Sequence, residues 1–450
     1  MTVRLLKEAL TVAIEALSWI ELQGMSERSA LSKTVKQLGI KDSRALGLAH
    51  KLVYETVRRR NLIDRIANTA LAPGSLEDFR LGVRAFLRLY VYQTKFVNGD
   101  FEEAASMAGL GRSILGWREL QEVEEALGKI LSIKLQRVLG GAGDEERVGF
   151  LTCHPRWFVD YCFRLLGRRE ALRFLESSME TLPTYIRINT LRGSGEALLK
   201  RVEEDGVVLE EVQQLKHTYK VVESTKPLVR TESFRDGLFY IQDKASCLAV
   251  EVADPEPGMT VLDICAAPGA KTTYLAQLME NEGVVYSVDF SRRRMRIWKR
   301  ETRRMGVEIA VPTICDTCKP LAVKVSADLV ILDPPCTSTG VFSRMPSAKW
   351  RLTEDSMMEM SEFQWRMLNG CVKYVKVGGF LGYSSCSIAV EENEMLIERV
   401  LKLHPEFKLV DAPPKIGVSG LRGLTECQRL YPHIHDCNGF FVAKLLREDS

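Results

Sequence analysis

VLDICAAPGAKTT, residues 261 to 273, is an apolar run of strand length, then a turn of small residues, then the start of a helix. The same change of period recurs downstream. VVYSVDF (284–290) precedes RRMRIWKRETRRMG (293–306), EIAVPTI (308–314) and ADLVILDPP (327–335) follow, and GGFLGYSSCS (378–387) leads to ENEMLIERVLKLH (392–404). Apolar strands alternating with helices predict a mostly parallel sheet covered on both faces, an α/β fold. In such sheets ligands bind beyond the carboxyl ends of the strands, so the residues that follow each apolar run form the candidate site.

After VLDIC, the turn AAPGAKTT lets a ligand approach bare backbone and presents free N–H groups at a helix start. It is neither a G-x-G-x-x-G fingerprint nor a P-loop, which turns the reading away from dinucleotides and nucleoside triphosphates. Lys271 opposes the helix macrodipole there; a site role explains that, and a solvated lysine is the alternative. Asp289 ends the second strand, where a carboxylate can accept both hydroxyls of a ribose. Asp316 stands at the tip of the third. Either aspartate could also be a helix cap or turn former.

The fourth strand runs into Asp333-Pro334-Pro335-Cys336 and the last into Ser384-Ser385-Cys386-Ser387. An acidic residue, two prolines and then an aromatic ring is the pattern of enzymes that methylate exocyclic amino groups; here a thiol replaces the ring. A thiol is suited to adding to carbon 6 of a cytosine, which makes the unreactive carbon 5 an enamine terminus able to take a methyl group. A lone strand-end cysteine is more simply a core residue. Two at the tips of two strands in one crevice reverse that weighting. At a reference pKa of about 8.5 a few per cent is already thiolate at neutral pH, and a cation such as Lys271 would raise that fraction. Spacing does not choose which thiol is the nucleophile.

The rest of the chain frames this region. At 450 residues it is too long for one ordinary core. With 46% hydrophobic and 27% charged residues the composition excludes disordered and fibrous classes. The first helix is interrupted by Glu8, Glu15 and Glu21, and no run is long enough to span a membrane, so neither a signal peptide nor a membrane partner is expected. Eleven cysteines, an odd number, point to reduced thiols and a cytoplasmic location. A net charge of +3 is too mild to identify a polyanionic partner, so any basic surface has to be local. Residues 1–139 read as helices throughout, with Leu46, Ala49, Val53 and Val57 on one stripe and Val83, Phe86, Leu87 and Tyr90 on another. The stretch Gly140 to Glu146 is the expected linker. LPTYIRINTLR, VVLEEV and GLFYIQD then predict a small α+β unit.

With these residues in place, His154 to Leu446 resembles the RsmB/Nop/Sun family of RNA cytosine-5 methyltransferases. HPRWF, RINTLR, YIQDKAS, DICAAPGAKTT, DPPCTSTG, SSCS with its following ENE, and RLYPHIHDCNGFF occur in the family's order. The resemblance implies three domains: a NusB-like helical RNA-binding domain over 1–139, an RRM-like α+β RNA-binding subdomain over 147–245, and a Rossmann-type methyltransferase domain over 246–450. It implies S-adenosyl-L-methionine as cofactor. Cys265, Ala266, Ala267, Pro268, Gly269, Ala270 and Lys271 would line its methionine end, with Asp289 on the ribose, Asp316 beside the adenine, and Asp333 close by. Asp333 and Lys271 also count among the catalytic residues, Asp333 holding the cytosine near N3 and its amino group. Cys386 would attack carbon 6, and Cys336 would assist removal of the carbon 5 proton and release of the enzyme. RNA is the implied partner, ribosomal RNA favoured over transfer RNA, and the chain is expected to be a monomer. Phosphate contacts are expected at Arg58 to Arg60, Arg156, Arg187 and Arg192. Three residues depart from the family pattern: Ala270 in place of a second glycine, Pro334 in place of alanine, and Ser385 in place of threonine. Ala270 keeps the turn only if its φ is negative.

Other readings remain. Cys315 and Cys318 form a C-x-x-C pair, and Cys427, His433, His435 and Cys437 lie close in sequence, but neither has the spacing of a usual zinc site, and no metal is expected. The run Arg292, Arg293, Arg294, Arg296, Lys299, Arg300, Arg303 and Arg304 is most simply a solvated helix face. A catalytically silent RNA-binding or ribosome-assembly factor could keep the fold, and a nitrogen methylase is disfavoured because no aromatic residue follows Asp-Pro-Pro.

Overall fold

A computed structural model describes residues 2–97, 100–319, 321 and 325–449. The chain forms two compact units, Met1–Thr181 with Phe342–Leu352, and Leu182–Val341 with Thr353–Ser450.

The first unit is helical. Val3–Gln23 starts where Thr2 accepts from the Leu5 N–H and stops at left-handed Gly24; Glu27–Leu38 is capped by Ser26 and stopped by Gly39. Ser43–Arg58 starts at Asp42, whose carboxylate takes the N–H groups of Arg44 and Ala45. These caps satisfy backbone donors that a helix cannot pair internally. The central helix is Leu81–Phe96, with Val83, Phe86, Leu87 and Tyr90 buried as their spacing predicts. Gly111, on the helix Phe101–Leu115, lies so close to it that a Cβ would stand 2.5 Å from the Phe86 ring. Of the other predicted stripe, Ala49, Val53 and Val57 are buried and Leu46 half-buried.

This unit continues past residues 140–146, where sequence suggests a boundary. Asp144, Glu145 and Glu146 open the helix Asp144–Leu151, where carboxylates complement the macrodipole. The unit also takes in Phe342–Leu352, a segment sequence reading assigns to the catalytic domain. Phe342 packs edge-on against Phe158 with ring centroids 5.0 Å apart. Trp350 Nε1 donates to the Val57 carbonyl (2.6 Å), and Ser347 Oγ donates to buried Glu27 (3.0 Å).

The second unit holds two sheets. In the smaller, β1 (Thr184–Ile188), β2 (Val207–Glu211), β3 (Thr218–Ser224) and β4 (Phe239–Ile241) lie in the order β2-β3-β1-β4, antiparallel throughout. The larger contains β5 (Thr260–Ile264), β6 (Val284–Asp289), β7 (Ala310–Ile314), β8 (Ala327–Leu332), β9 (Val375–Ser385), β10 (Phe407–Leu409), β11 (Val418–Ser419), β12 (Gln428–Leu430) and β13 (Phe440–Arg447). Their order is β11-β12-β13-β9-β8-β5-β6-β7, with β10 also paired to β13. The five strands from β7 to β9 are parallel and β13 runs antiparallel to β9, so the expected parallel sheet is present with an antiparallel extension at one side. Ile264 lies level with Val288 on one side and Leu332 on the other, and Leu332 with Tyr383. This register brings the carboxyl ends of β5, β6, β8 and β9 to one edge. Among the described residues no helix is long and apolar enough to cross a membrane.

Candidate active site

Every site residue read from the sequence lies in the second unit at that edge. Beyond β5, Cys265 takes a left-handed backbone (φ 67°), and the Ala266 N–H donates to the Val288 carbonyl (3.0 Å). Gly269 stands at φ 114° as the N-cap of the helix Ala270–Leu278. A Cβ there would come within 3.3 Å of the Trp298 ring, so both conformation and space call for glycine. Ala270 is the first helical residue and is not among those with positive φ, so its departure from the family pattern costs the turn nothing.

Asp289 ends β6 almost fully buried. Its Oδ1 accepts from the Ser291 N–H (2.9 Å), and its Oδ2 from the Ala267 N–H (3.3 Å), with Arg294 Nη1 3.4 Å away. The carboxylate therefore ties the β6 tip to the turn after β5. Phe290, the next residue, is 63% exposed and offers a bare ring beside it. Sequence reading passed over Phe290, although an aromatic residue directly after a strand-end aspartate is a signal that could have found it. Asp316 is exposed beyond β7 and accepts from the Cys318 N–H (3.0 Å).

Beyond β8, Asp333 is held on both oxygens. Lys271 Nζ lies 2.5 Å from Oδ2, and Ser384 Oγ donates to Oδ1 (3.2 Å). Lys271 is itself buried and also reaches Ser246 Oγ (3.4 Å). The lysine is therefore no solvated side chain. Its charge is matched first to Asp333, and not to either cysteine as the sequence reading allowed.

The two thiols meet. Cys336 Sγ and Cys386 Sγ are 3.0 Å apart, both half-buried, and Ser338 Oγ lies 3.6 Å from Cys386 Sγ and 3.9 Å from Cys336 Sγ. The contact with Cys386 and burial together push the Cys336 thiol well above the usual thiol range. Ser338 is a second residue that sequence reading missed, an unremarkable serine until folding sets it between two sulfurs.

Several expected phosphate contacts are engaged elsewhere. Arg187 is fully buried and forks to Gln242, Thr273 and Gln277, so it cannot meet RNA. Arg192 is exposed but donates to the Arg303 and Arg304 carbonyls, closing a helix end. Arg58 is buried and bonds Glu55 (2.6 Å) and the Ser343 carbonyl (2.7 Å), Arg59 pairs with Glu55, and Arg60 lies 3.5 Å from Asp64. In each case a carbonyl or carboxylate of the same unit already occupies the guanidinium. Arg156 is exposed, 3.7 Å from Asp160. On the helix Arg292–Met305, Arg292, Arg293, Arg296, Lys299, Arg300 and Arg303 are exposed, whereas Arg294 and Arg304 turn inward to Asp289 and Glu301. Cys427 and Cys437 are buried in two different apolar clusters. Among the described residues no three His, Cys, Asp or Glu side chains gather as metal ligands.

Comparison with known proteins agrees with this geometry. The family profile for 16S rRNA methyltransferase RsmB/F matches residues 250–446, and that of the NusB family matches residues 7–107. A Schizosaccharomyces pombe protein named 25S rRNA (cytosine-C(5))-methyltransferase nop2 is 34% identical over 307 residues, 65% of this chain, which spans only half the length of that relative. A Bacillus subtilis protein, "Probable ribosomal RNA small subunit methyltransferase B", is 26% identical over 97% of this chain and 98% of its own. The crystal structure of the protein PH0851 superposes with a TM-score of 0.84 at 30% identity, covering 98% of both chains. A methyltransferase homolog protein from Pyrococcus horikoshii is 32% identical, with a TM-score of 0.62 over 68% of this chain and 100% of its own. With a helical NusB-like domain ahead of a parallel sheet whose tips carry the turn, the acids and the two thiols, the chain belongs to the RsmB/F family of S-adenosylmethionine-dependent RNA methyltransferases.

Proposed function

We propose that this protein transfers a methyl group from S-adenosylmethionine to carbon 5 of a cytosine in RNA, through a covalent bond between Cys386 and carbon 6. The observation that carries the reading is the pair of thiols 3.0 Å apart at the tips of two adjacent parallel strands, beside an aspartate fixed on both oxygens.

The donor fits the residues at hand. The turn from Cys265 to Gly269 presents bare backbone and leads into a helix start, Asp289 stands at the next strand tip, and Phe290 offers an exposed ring against which an adenine can lie. Buried Asp289 would hold the ribose hydroxyls, in place of the partly exposed Arg294 that now lies 3.4 Å from its Oδ2. When bound, the donor supplies an electrophilic methyl group on a sulfonium.

The protein's own groups do the remainder. Asp333, fixed by Lys271 and Ser384, orients the base by accepting from its amino group. Cys386, as thiolate, adds to carbon 6 and leaves carbon 5 nucleophilic. After carbon 5 has gained its methyl group it must lose a proton, and the lost proton's electron pair re-forms the ring double bond and expels Cys386. With the Cys386 sulfur bonded to carbon 6, the contact that holds the Cys336 thiol up is gone, and Cys336, as thiolate, is the group in reach to take that proton, directly or through Ser338. The base must leave its RNA stack to reach this edge.

Ribosomal RNA is the favoured substrate: the chain is collinear with a relative named for the small ribosomal subunit, and a NusB-family match precedes the catalytic region. The helical domain and the β1–β4 subdomain would hold that RNA, and all eleven cysteines, being free thiols, suit a reducing cytoplasm. The test is trapping with RNA that contains 5-azacytidine. Cys386→Ala should abolish both methylation and the adduct; Cys336→Ala should block turnover yet keep the adduct. Adduct formation by Cys386→Ala but not by Cys336→Ala would mean that the roles are reversed.

A further inference from the structure

Each residue of the stretch Glu392-Asn393-Glu394 is fully buried and hydrogen-bonded. Glu394 pairs with buried Arg429, 2.5 Å from its guanidinium. The other two act on the cysteine turns. Glu392 Oε1 accepts from Ser387 Oγ (2.6 Å) and from Thr337 Oγ1; its Oε2 accepts from the Thr337 N–H (2.9 Å) and from Gln364 Nε2 (2.7 Å). Thr337 directly follows Cys336 and Ser387 directly follows Cys386. One carboxylate thus grips both turns one residue beyond each sulfur. Asn393 brackets the second cysteine, accepting from Ser385 Oγ (2.6 Å) and donating to the Ser387 carbonyl (2.9 Å).

We propose that Glu392 is a positioning residue of the transfer reaction: it locks the turns of Cys336 and Cys386 in register so that one pyrimidine meets both sulfurs, while Asn393 holds the backbone on either side of Cys386. This rests on the reading of the two cysteines as the reacting thiols. A buried carboxylate is costly to desolvate, and four donors offset that cost; apolar packing would close the same core at less expense but would not bind two separate turns to one point. Its charge is no help to the chemistry. Burial pushes the Glu392 carboxyl up, and when ionised it opposes loss of a proton from Cys336. Geometry is therefore what Glu392 contributes. A glutamine can reproduce it, its carbonyl taking the Thr337 and Gln364 N–H groups and its amide donating to the Thr337 and Ser387 hydroxyls, which accept as readily as they donate.

The experiment uses the full chain with target RNA and S-adenosylmethionine, measuring kcat, KM for RNA, the rate of 5-azacytidine adduct formation and the thermal midpoint. Glu392→Ala should lower kcat and adduct rate by about 100-fold with KM for RNA unchanged, as expected for reacting groups displaced by about 1 Å. Glu392→Gln should recover most of that loss because it restores the four bonds; a purely structural role would lower the thermal midpoint without separating kcat and adduct rate from KM for RNA. Should Glu392→Ala fail to fold, Ser387→Ala, which detaches only the Cys386 turn, should lower kcat by about tenfold. Wild-type kcat in a folded Glu392→Ala or Ser387→Ala protein overturns the proposal, as does a folded Glu392→Gln as slow as the alanine variant. Absence of any adduct with the unmodified protein would instead sink the reading of the thiols themselves.

Discussion

Lys349 lies in the first unit, 1% exposed, with no hydrogen-bond partner on its Nζ. Burial, ahead of neighbouring charges, pushes its ammonium down to about 7. In the unfolded chain the same group holds its proton up to about 10.4. Between those values the folded protein binds fewer protons than the unfolded one, so stability rises with pH across that window. Lys349→Met keeps an unbranched apolar stem and removes the charge. It should raise the thermal midpoint most at or below about pH 7 and by progressively less towards about pH 10. An equal gain at both ends would show that charge burial is not the cause. At this scale the sequence was informative wherever chemistry is local. The Asp-Pro-Pro-Cys and Ser-Ser-Cys-Ser runs identify the thiols, and AAPGAKTT identifies the tight turn after β5. It was uninformative about Ser338, Phe290 and Arg187, whose surroundings come from distant parts of the chain.

β1 and the helix Ala270–Leu278 are joined through one side chain. Arg187, on β1, donates to Gln242 Oε1 (3.1 Å), Gln277 Oε1 (2.6 Å) and Thr273 Oγ1 (2.8 Å), and its guanidinium sits 4.4 Å from the Tyr274 ring centroid. No carboxylate pairs with it among the described salt bridges; the charge is satisfied by neutral acceptors and a ring. Arg187→Ala strands two buried amide oxygens and should cost about 3 kcal/mol or more. Arg187→Lys should fall between alanine and wild type, since an ammonium cannot span three acceptors set around a planar fork. Thermal midpoints, with limited proteolysis of the β1–β4 region, would check both; equal stability of the alanine and wild-type proteins would refute the joint. Strand and helix types along the second unit were legible in their periodicity, because period two and period 3.6 are written locally. The β3 strand and the antiparallel placement of β13 were not, because pairing partners lie far apart in sequence.

The two compact units interleave in the chain. Phe342–Leu352 leaves the second unit after the Cys336 turn, contributes to the core of the first and returns at Thr353. A protein cut to Leu182–Ser450 would retain Phe342, Ala348 and Lys349, which are 2%, 7% and 1% exposed, without the core that buries them. It should be poorly soluble, and co-expression with Met1–Thr181 should restore a soluble species, read by size-exclusion chromatography. A soluble, monomeric 182–450 fragment would show that the segment can be buried without the first unit.

Composition and period determined that the chain has a helical first part and a parallel α/β sheet, and strand-end position determined which residues stand at its active edge. Those properties depend on neighbours within a few residues, where side-chain size and backbone preference act directly. Only the tertiary structure decided that the two sulfurs touch, that Lys271 answers to Asp333, that Glu392 joins the thiol turns and that Arg58 is buried against the Ser343 carbonyl. Each of these is a meeting of residues tens to hundreds of positions apart, set by strand register and by which core buries which segment, and local pattern carries no record of either.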